Sequence, residues 1–363
     1  MSILIFIVAL AILILVHEFG HFIVAKKSGI RVDEFGLGFP PKVYGKKIGE
    51  TVYSINAIPF GGFVKIFGED PHSQEISEAD KPRSFFYKPK WIQALVLVAG
   101  VTFNIIFAWI LISLGFMLGL PSPVGYISGA NVSNAHTVII NVFPGSPAEK
   151  AGLRAGDTIL SVGAGKNVLA GDAIPPEKIS ELIAKSLSEK IDMTYKRGAE
   201  ASKNISLTPN LGGKRMIGIS MDTIGTVKLS FFGALYEGGR TTILLVKSTV
   251  TGLFGFLYNI VTFHFDLSQV AGPVGIAGSF SEAKDLGFVY ILSLVALISI
   301  NLAVINLIPF PALDGGRLFF ILIEKIIRRP IPPKIFQWTN AIGFALLLVL
   351  MIVITGHDIL KLL

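Results

Sequence analysis

Four windows of this 363-residue chain are long and apolar enough to cross a hydrocarbon core, and three of them carry no formal charge. Trp91 to Leu120 runs 30 residues without Asp, Glu, Lys or Arg, Leu286 to Leu313 runs 28, and Ile335 to His357 runs 23. About 20 apolar residues span a bilayer as a helix, because the segment then pairs its own backbone amides. The fourth window, Ile3 to Ala25, is broken only by His17-Glu18-Phe19-Gly20-His21. It has no basic region ahead of its apolar run and no small-residue cleavage site behind it, so it is expected to stay attached. These windows predict a polytopic α-helical membrane protein with four transmembrane helices. A further stretch, 241–263, is interrupted by Lys247 and rich in Thr and Gly. It is expected to form an amphipathic, interfacial helix, with a fifth span as the alternative.

Charge sets the orientation. The loop from Val24 to Lys90 holds 11 basic residues and the short segment from Pro309 to Phe336 holds five. Short loops rich in Lys and Arg stay cytoplasmic, which predicts that both termini and the segment 121–285 lie outside. Most of the net charge of +7 sits in those two loops, so no basic stripe remains for nucleic acid. The chain has no cysteine, which excludes a disulfide framework, a Cys-ligated metal site and a thiol nucleophile.

The outer segment reads as a small α+β domain, with β-type runs at Thr137 to Val142 and Ile217 to Met221 and a helical pattern at Pro176 to Leu187. Within it, Pro144 to Val162 (PGSPAEKAGLRAGDTILSV) resembles the PDZ domains of bacterial envelope proteases. That resemblance implies an extracytoplasmic PDZ domain over 126–222, with a carboxylate-binding loop near Gly125-Tyr126-Ile127 and a peptide held by strand addition. A docking or filter domain that binds no peptide is the alternative. The flanking parts are expected as a first half of a membrane core (1–120), a linker with the interfacial helix (223–285) and a second half of the core (286–363).

His17 and His21, four apart on an apolar helix, share a face and can chelate one ion. Glu18 stands one residue round, within reach of a water on that ion. An ionisable residue at this depth costs roughly 2.5–3.5 kcal/mol on insertion scales, which a polar cluster without a function does not explain. The other histidines (His72, His136, His264, His357) form no second pair at ligand spacing. A catalytic zinc takes three protein ligands and keeps one position open, so the third ligand must come from another span. Asp314 stands where the third span meets the cytoplasm, after a helix interrupted by Pro309 and Pro311. Taken alone it reads as a helix cap. Topology nevertheless brings it to the depth of the histidines, because both spans run inward.

HEFGH in the first span and NLIPFPALDG in the third resemble the site-2 protease family of intramembrane zinc metalloproteases, above all its bacterial RseP-type branch, here with one PDZ domain. The resemblance covers essentially the whole chain. It implies one Zn²⁺ on His17, His21 and Asp314, Glu18 as general base, and single-span membrane proteins as substrates, such as anti-sigma factors or remnant signal peptides. It also implies a place in the bacterial inner membrane, with the zinc site towards the cytoplasm. Residues 51–67 resemble the family's re-entrant β-hairpin, with Gly61 and Gly62 in its Pro-Phe-Gly-Gly turn and Phe63 directly after it, all three candidates to bind substrate. A cytoplasmic surface hairpin is the plainer reading. Gly100 and Asn104 match a Gly-x-x-x-Asn pattern of the branch, which makes Asn104 and Asn306 candidates to bind substrate backbone. For Asn104, hydrogen bonding between helices is an equal alternative. Two other function classes remain at this point. One is a non-catalytic PDZ-bearing membrane binding protein with a structural metal site; the other is a metal transporter, disfavoured because no relay of acidic residues follows across the other spans.

Overall fold

The computed structural model describes residues 2–69, 76–127, 131–186, 190–198, 200–210, 212–262 and 272–362. In chain order the elements begin α1 (Ser2–Lys27), β1 (Val32–Ile48), β2 (Thr51–Ile66) and α2 (Lys90–Leu118). The middle third holds β3 (Leu120–Pro123), β4 (Val132–Val142), α3 (Pro147–Lys150), β5 (Asp157–Ala164), β6 (Asn167–Ala170), α4 (Pro176–Lys185), β7 (Ile191–Arg197), β8 (Lys203–Leu207) and β9 (Ile219–Val227). The chain closes with α5 (Phe231–Val261), α6 (Pro273–Leu286), α7 (Phe288–Asn306), α8 (Asp314–Ile327) and α9 (Pro333–Leu362). Two compact units result: residues 1–113 with 238–363, and residues 114–237.

The first unit is helical. Among the described residues, five helices are long and apolar enough to cross a membrane: Ser2–Lys27, Lys90–Leu118, Phe231–Val261, Phe288–Asn306 and Lys334–Leu360. Four of them answer to the four apolar windows. The fifth, α5, covers nearly all of the stretch 241–263, for which the sequence offers an interfacial helix or a fifth span. Gly238 and Gly239 pack against Ser113 and Trp109 of α2, and further along Thr249 Oγ1 donates to Asn301 Oδ1 of α7 at 3.3 Å. The start of α5 thus lies against α2 through Gly238 and Gly239, and its middle touches α7 through Thr249.

The strands of this unit depart from the expected hairpin. Residues 51–66 do not fold back on themselves at Pro-Phe-Gly-Gly. Instead 32–37 of β1 lies between the two arms of β2, pairing with Val52 to Ile55 on one side and Gly62 to Ile66 on the other. Residues 42–48 then pair with 51–56 across the Gly49-Glu50 turn. The spatial order is 62–66, 32–37, 51–56, 42–48, so 62–66 is an outer edge. Beneath the sheet, Ala25, Ile30, Val32, Ile66, Phe85, Val96, Leu97 and Ile321 form a common core. Lys26 and Arg83 both pair with Glu50 at the turn.

The second unit is an antiparallel sheet in the order β3-β9-β4-β5-β7-β8, with β6 beside β5. Ile139, Ile159, Val162, Ile179, Ile183, Ile191 and Met193 fill its core. The stretch PGSPAEKAGL folds as its composition dictates. Ser146 caps α3 by accepting the Glu149 N–H at 3.2 Å, and Glu149 Oε2 accepts the Gly145 N–H at 2.7 Å. Buried Asp157 anchors the turn into β5, accepting from Arg197 Nε and Nη2 at 2.7 Å each and from the Arg154 N–H at 2.9 Å.

Candidate metal centre and active site

The helical period of α1 places His17 and His21 on one face, and both imidazoles are buried, at 6% and 5% exposure. That face meets α2 at unusually close range. A Cβ on Gly20 would stand 2.6 Å from the Ala99 carbonyl oxygen, and one on Gly100 would stand 2.4 Å from His21 Nε2. Only glycine fits at either position.

Asp314 reaches the pair from the far end of the sequence. The segment after α7 cannot continue as helix because Pro309 and Pro311 lack an N–H. It turns instead, with Leu313 N–H donating to the Phe310 carbonyl at 3.2 Å and Ala312 held at φ +72°. The Ala312 N–H donates to Asn340 Oδ1 of α9 at 3.0 Å, which holds this turn in place. Leu313 is the N-cap, so Asp314 opens α8 as its first helical residue and is not a cap.

Asp314 Oδ2 lies 3.0 Å from His17 Nε2 and 3.2 Å from His21 Nε2, and the two Nε2 atoms are 3.2 Å apart. Three donors thus form a near-equilateral triangle. With bonds of about 2.0–2.1 Å, the edge of a tetrahedral zinc site is about 3.3 Å, and the donor set of two neutral imidazoles and one carboxylate is of the kind zinc takes. Among the described residues this is the one group of three or more His, Asp or Glu with its ligand atoms so close. His72 and His264 lie outside the described residues.

Glu18 stands beside the triangle, half-buried, with its Oε2 accepting the Val64 N–H at 3.1 Å. Val64 belongs to the edge segment 62–66, so the outer side of that strand faces the site. A cavity of about 340 Å³ opens here, lined by Glu18, His21, Phe63, Val64, Asp314 and Arg317 among others. Arg317 of α8 forms an ion pair with Glu69, just beyond β2, which ties the sheet to the helix that carries Asp314.

The structure brings His17, Glu18, His21, Asp314 and Phe63 to one place. Gly62 lies beneath Glu18, where a Cβ would be 3.8 Å from Glu18 Cγ, while Gly61 packs against the Phe39 ring. Asn306 ends α7, half-buried. Asn104 is fully buried behind His17, its Nδ2 3.2 Å from His17 Nδ1. Gly125, Tyr126 and Ile127 belong to the second unit, in the turn that leaves β3. Sequence reasoning missed Arg317, Glu69 and Asn340. An Arg and a Glu at the ends of apolar segments carry no spacing signal that would join them.

Two imidazoles and a carboxylate converging within an apolar helical bundle, with a second carboxylate and an open strand edge on the same cavity, define a membrane-embedded hydrolase of the metal-dependent class. The chain belongs to peptidase family M50, whose model matches residues 5–350, in keeping with its site-2 protease resemblance. It is 36% identical over 361 residues to a protein of Clostridium perfringens named as a candidate zinc metalloprotease, covering 99% of this chain and 98% of the relative. A protein of Nostoc sp. with the same kind of name is 37% identical over 96% of this chain and 93% of its own length. The zinc metalloprotease RasP of Geobacillus kaustophilus is 28% identical over 99% of this chain and 98% of its own length. With five apolar helices and this family, the chain is a multi-pass membrane peptidase.

Proposed function

We propose that this chain is an intramembrane zinc endopeptidase that cleaves single-span membrane proteins, with His17, His21 and Asp314 holding the ion and Glu18 acting as general base. The observation that carries the reading is the triangle of donor atoms from α1 and α8 with Glu18 at its side. Zinc in such a site supplies Lewis acidity, lowering the pKa of water towards about 7. Glu18 takes the proton from the attacking water and returns it to the leaving amine. Because the Val64 N–H engages Oε2, the proton goes to Oε1.

A helical substrate has its amides already paired, so it must be held extended to be cut. The edge 62–66 supports this, since it offers main-chain groups along the cavity that holds Glu18. The second unit is read as the single PDZ domain, over 126–222, with Gly125-Tyr126-Ile127 as its peptide loop and an extracytoplasmic tail as its ligand.

Both termini are assigned to the outer face of a bacterial cell membrane, with the metal site towards the cytoplasm. The ends support this. Ser2 at the start of α1 bonds to Ser281 of α6 at 3.2 Å, and Asp358 near the end of α9 accepts the Gly275 N–H of α6 at 2.8 Å. The two termini thus meet the same short helix. Gly272, where the described chain resumes after α5, is also beside Asp358, on the side of the two ends. We read four crossings, by α1, α2, α7 and α9, the helices that answer to the four apolar windows.

Co-expression with tagged single-span proteins tests the proposal. Wild type cuts within the substrate's membrane segment, Glu18→Gln keeps its zinc but does not cut, and His17→Ala loses both. Cleavage by Glu18→Gln at the wild-type rate would sink the mechanism.

A further inference from the structure

Behind each imidazole of the triangle stands a group that faces its Nδ1. For His21 it is the Val96 backbone carbonyl, 2.8 Å away, which can only accept a hydrogen bond. His21 Nδ1 therefore carries the proton, and Nε2 keeps its lone pair for an ion. For His17 it is the Asn104 carboxamide, which can present either its oxygen or its nitrogen. The coordinates place Nδ2 against His17 Nδ1 at 3.2 Å and leave Asn104 Oδ1 buried with no partner among the described residues.

Those two observations conflict with a metal on Nε2. An imidazole that gives Nε2 to an ion carries its proton on Nδ1, and that N–H would then face the N–H of the amide. Rotating the carboxamide by half a turn resolves the conflict without moving an atom position, because amide O and N occupy nearly the same space. Oδ1 then accepts from His17 Nδ1, and the buried oxygen gains its partner. The amide is otherwise well fixed. Asn104 is fully buried, and its own carbonyl accepts from Ser299 Oγ of α7 at 2.8 Å.

We infer that Asn104 is a positioning residue of the metal centre: its Oδ1 accepts the His17 Nδ1 proton and reserves His17 Nε2 for the ion. This rests on the metal reading proposed above. On this view Val96 and Asn104 play one role twice, and α2 supplies the acceptor for both ligands carried by α1. Asn104 touches neither substrate nor the reacting atoms.

The test is zinc affinity, measured on the full chain in detergent by competition with a chromophoric chelator, with zinc itself as the probe. Asn104→Leu keeps the shape and removes the acceptor; it is expected to weaken zinc binding about 10- to 100-fold. Asn104→Asp keeps an acceptor and cannot donate when ionised; it is expected to hold zinc at least as tightly as wild type. Filling space alone would not produce that rescue. Wild-type affinity in Asn104→Leu, or a loss in Asn104→Asp, overturns the inference. If Asn104→Leu does not fold, the Asn104→Asp arm decides by itself. If His17→Ala binds zinc as wild type does, the metal reading fails, and this outcome is distinct from failure of the Asn104 role.

Discussion

Gly100→Ala adds a single methyl group on α2 at the point where that helix passes the two imidazoles. The new Cβ would stand 2.4 Å from His21 Nε2 and 2.8 Å from the Cε1 atoms of both His17 and His21. Ordinary contact begins at 3.4 Å, so something must give by about 1 Å. The rings cannot simply turn away. His21 is tied to the Val96 carbonyl one turn earlier on the same helix, and His17 faces Asn104 one turn later. A metal site tolerates ligand displacements of about 0.2 Å, five times less than the required shift. Overpacking of this kind costs about 1–3 kcal/mol, which corresponds to a loss in zinc affinity of roughly 5- to 150-fold. Alanine is a better helix former than glycine by about 1 kcal/mol, so a loss cannot be blamed on α2 itself. The assay is chelator competition on the purified full chain, with substrate cleavage measured in parallel. Gly252→Ala on α5 is the control, since a Cβ there meets nothing within 4 Å, and it should leave both readouts unchanged. Zinc affinity and cleavage at wild-type levels in Gly100→Ala would refute the reasoning.

Val64→Pro removes the N–H that Glu18 accepts while sparing the ladder to β1, because that N–H points away from the sheet. A hydrogen bond to a charged group is worth about 1.5–3 kcal/mol, so turnover should fall about 10- to 150-fold with zinc content unchanged; loss of zinc would contradict this. Asp157→Ala strips three acceptor contacts from a fully buried carboxylate site and leaves Arg197 only the Gly152 carbonyl as acceptor, at a cost of about 2–4 kcal/mol to the second unit. Its thermal transition should drop by several degrees; an unchanged transition would show the pair to be dispensable. Arg83 and then Lys26 hold the Glu50 carboxyl below its ordinary 4.5. A lowered folded-state pKa contributes stability above the unfolded value that is lost as pH falls through the folded one. The gap in melting temperature between wild type and Glu50→Gln, worth at most about 1 kcal/mol, should therefore be present at pH 7 and close below about pH 4.5. A gap that widens with acid would reverse the assignment.

The meeting of His17, His21 and Asp314 was legible because helical spacing alone puts the two histidines on one face, and because two spans read as running the same way bring Asp314 to their depth. The strand Thr137 to Val142 and the short helix after Ser146 were equally readable, since alternation and capping are local. What failed was non-local. Nothing in Asp33-Glu34-Phe35-Gly36-Leu37 says that it will pair on both sides at once, so Pro-Phe-Gly-Gly looked like the tip of a self-contained hairpin. Lys247 and the Thr and Gly residues of 241–263 say nothing of the Gly238-Gly239 pair just ahead of them, which is what packs on α2. For Asn104 the pattern left substrate and a neighbouring helix equally open, and only its burial shows that it faces His17. Gly20 and Gly100 carry no signal of how closely two helices approach.

The triangle also has a history in the making of the chain. His21 and Asp314 are 293 residues apart, so the helix that carries the histidines is synthesised well before the one that carries the aspartate. At about 5–20 residues per second, roughly 15–60 s pass between them. Through that interval the nascent chain presents two histidines and a glutamate to the membrane but has no third ligand to complete the set. Under the proposed mechanism, proteolytic competence therefore arrives only once α8 has been inserted, and a product truncated ahead of it is inert without any inhibitor.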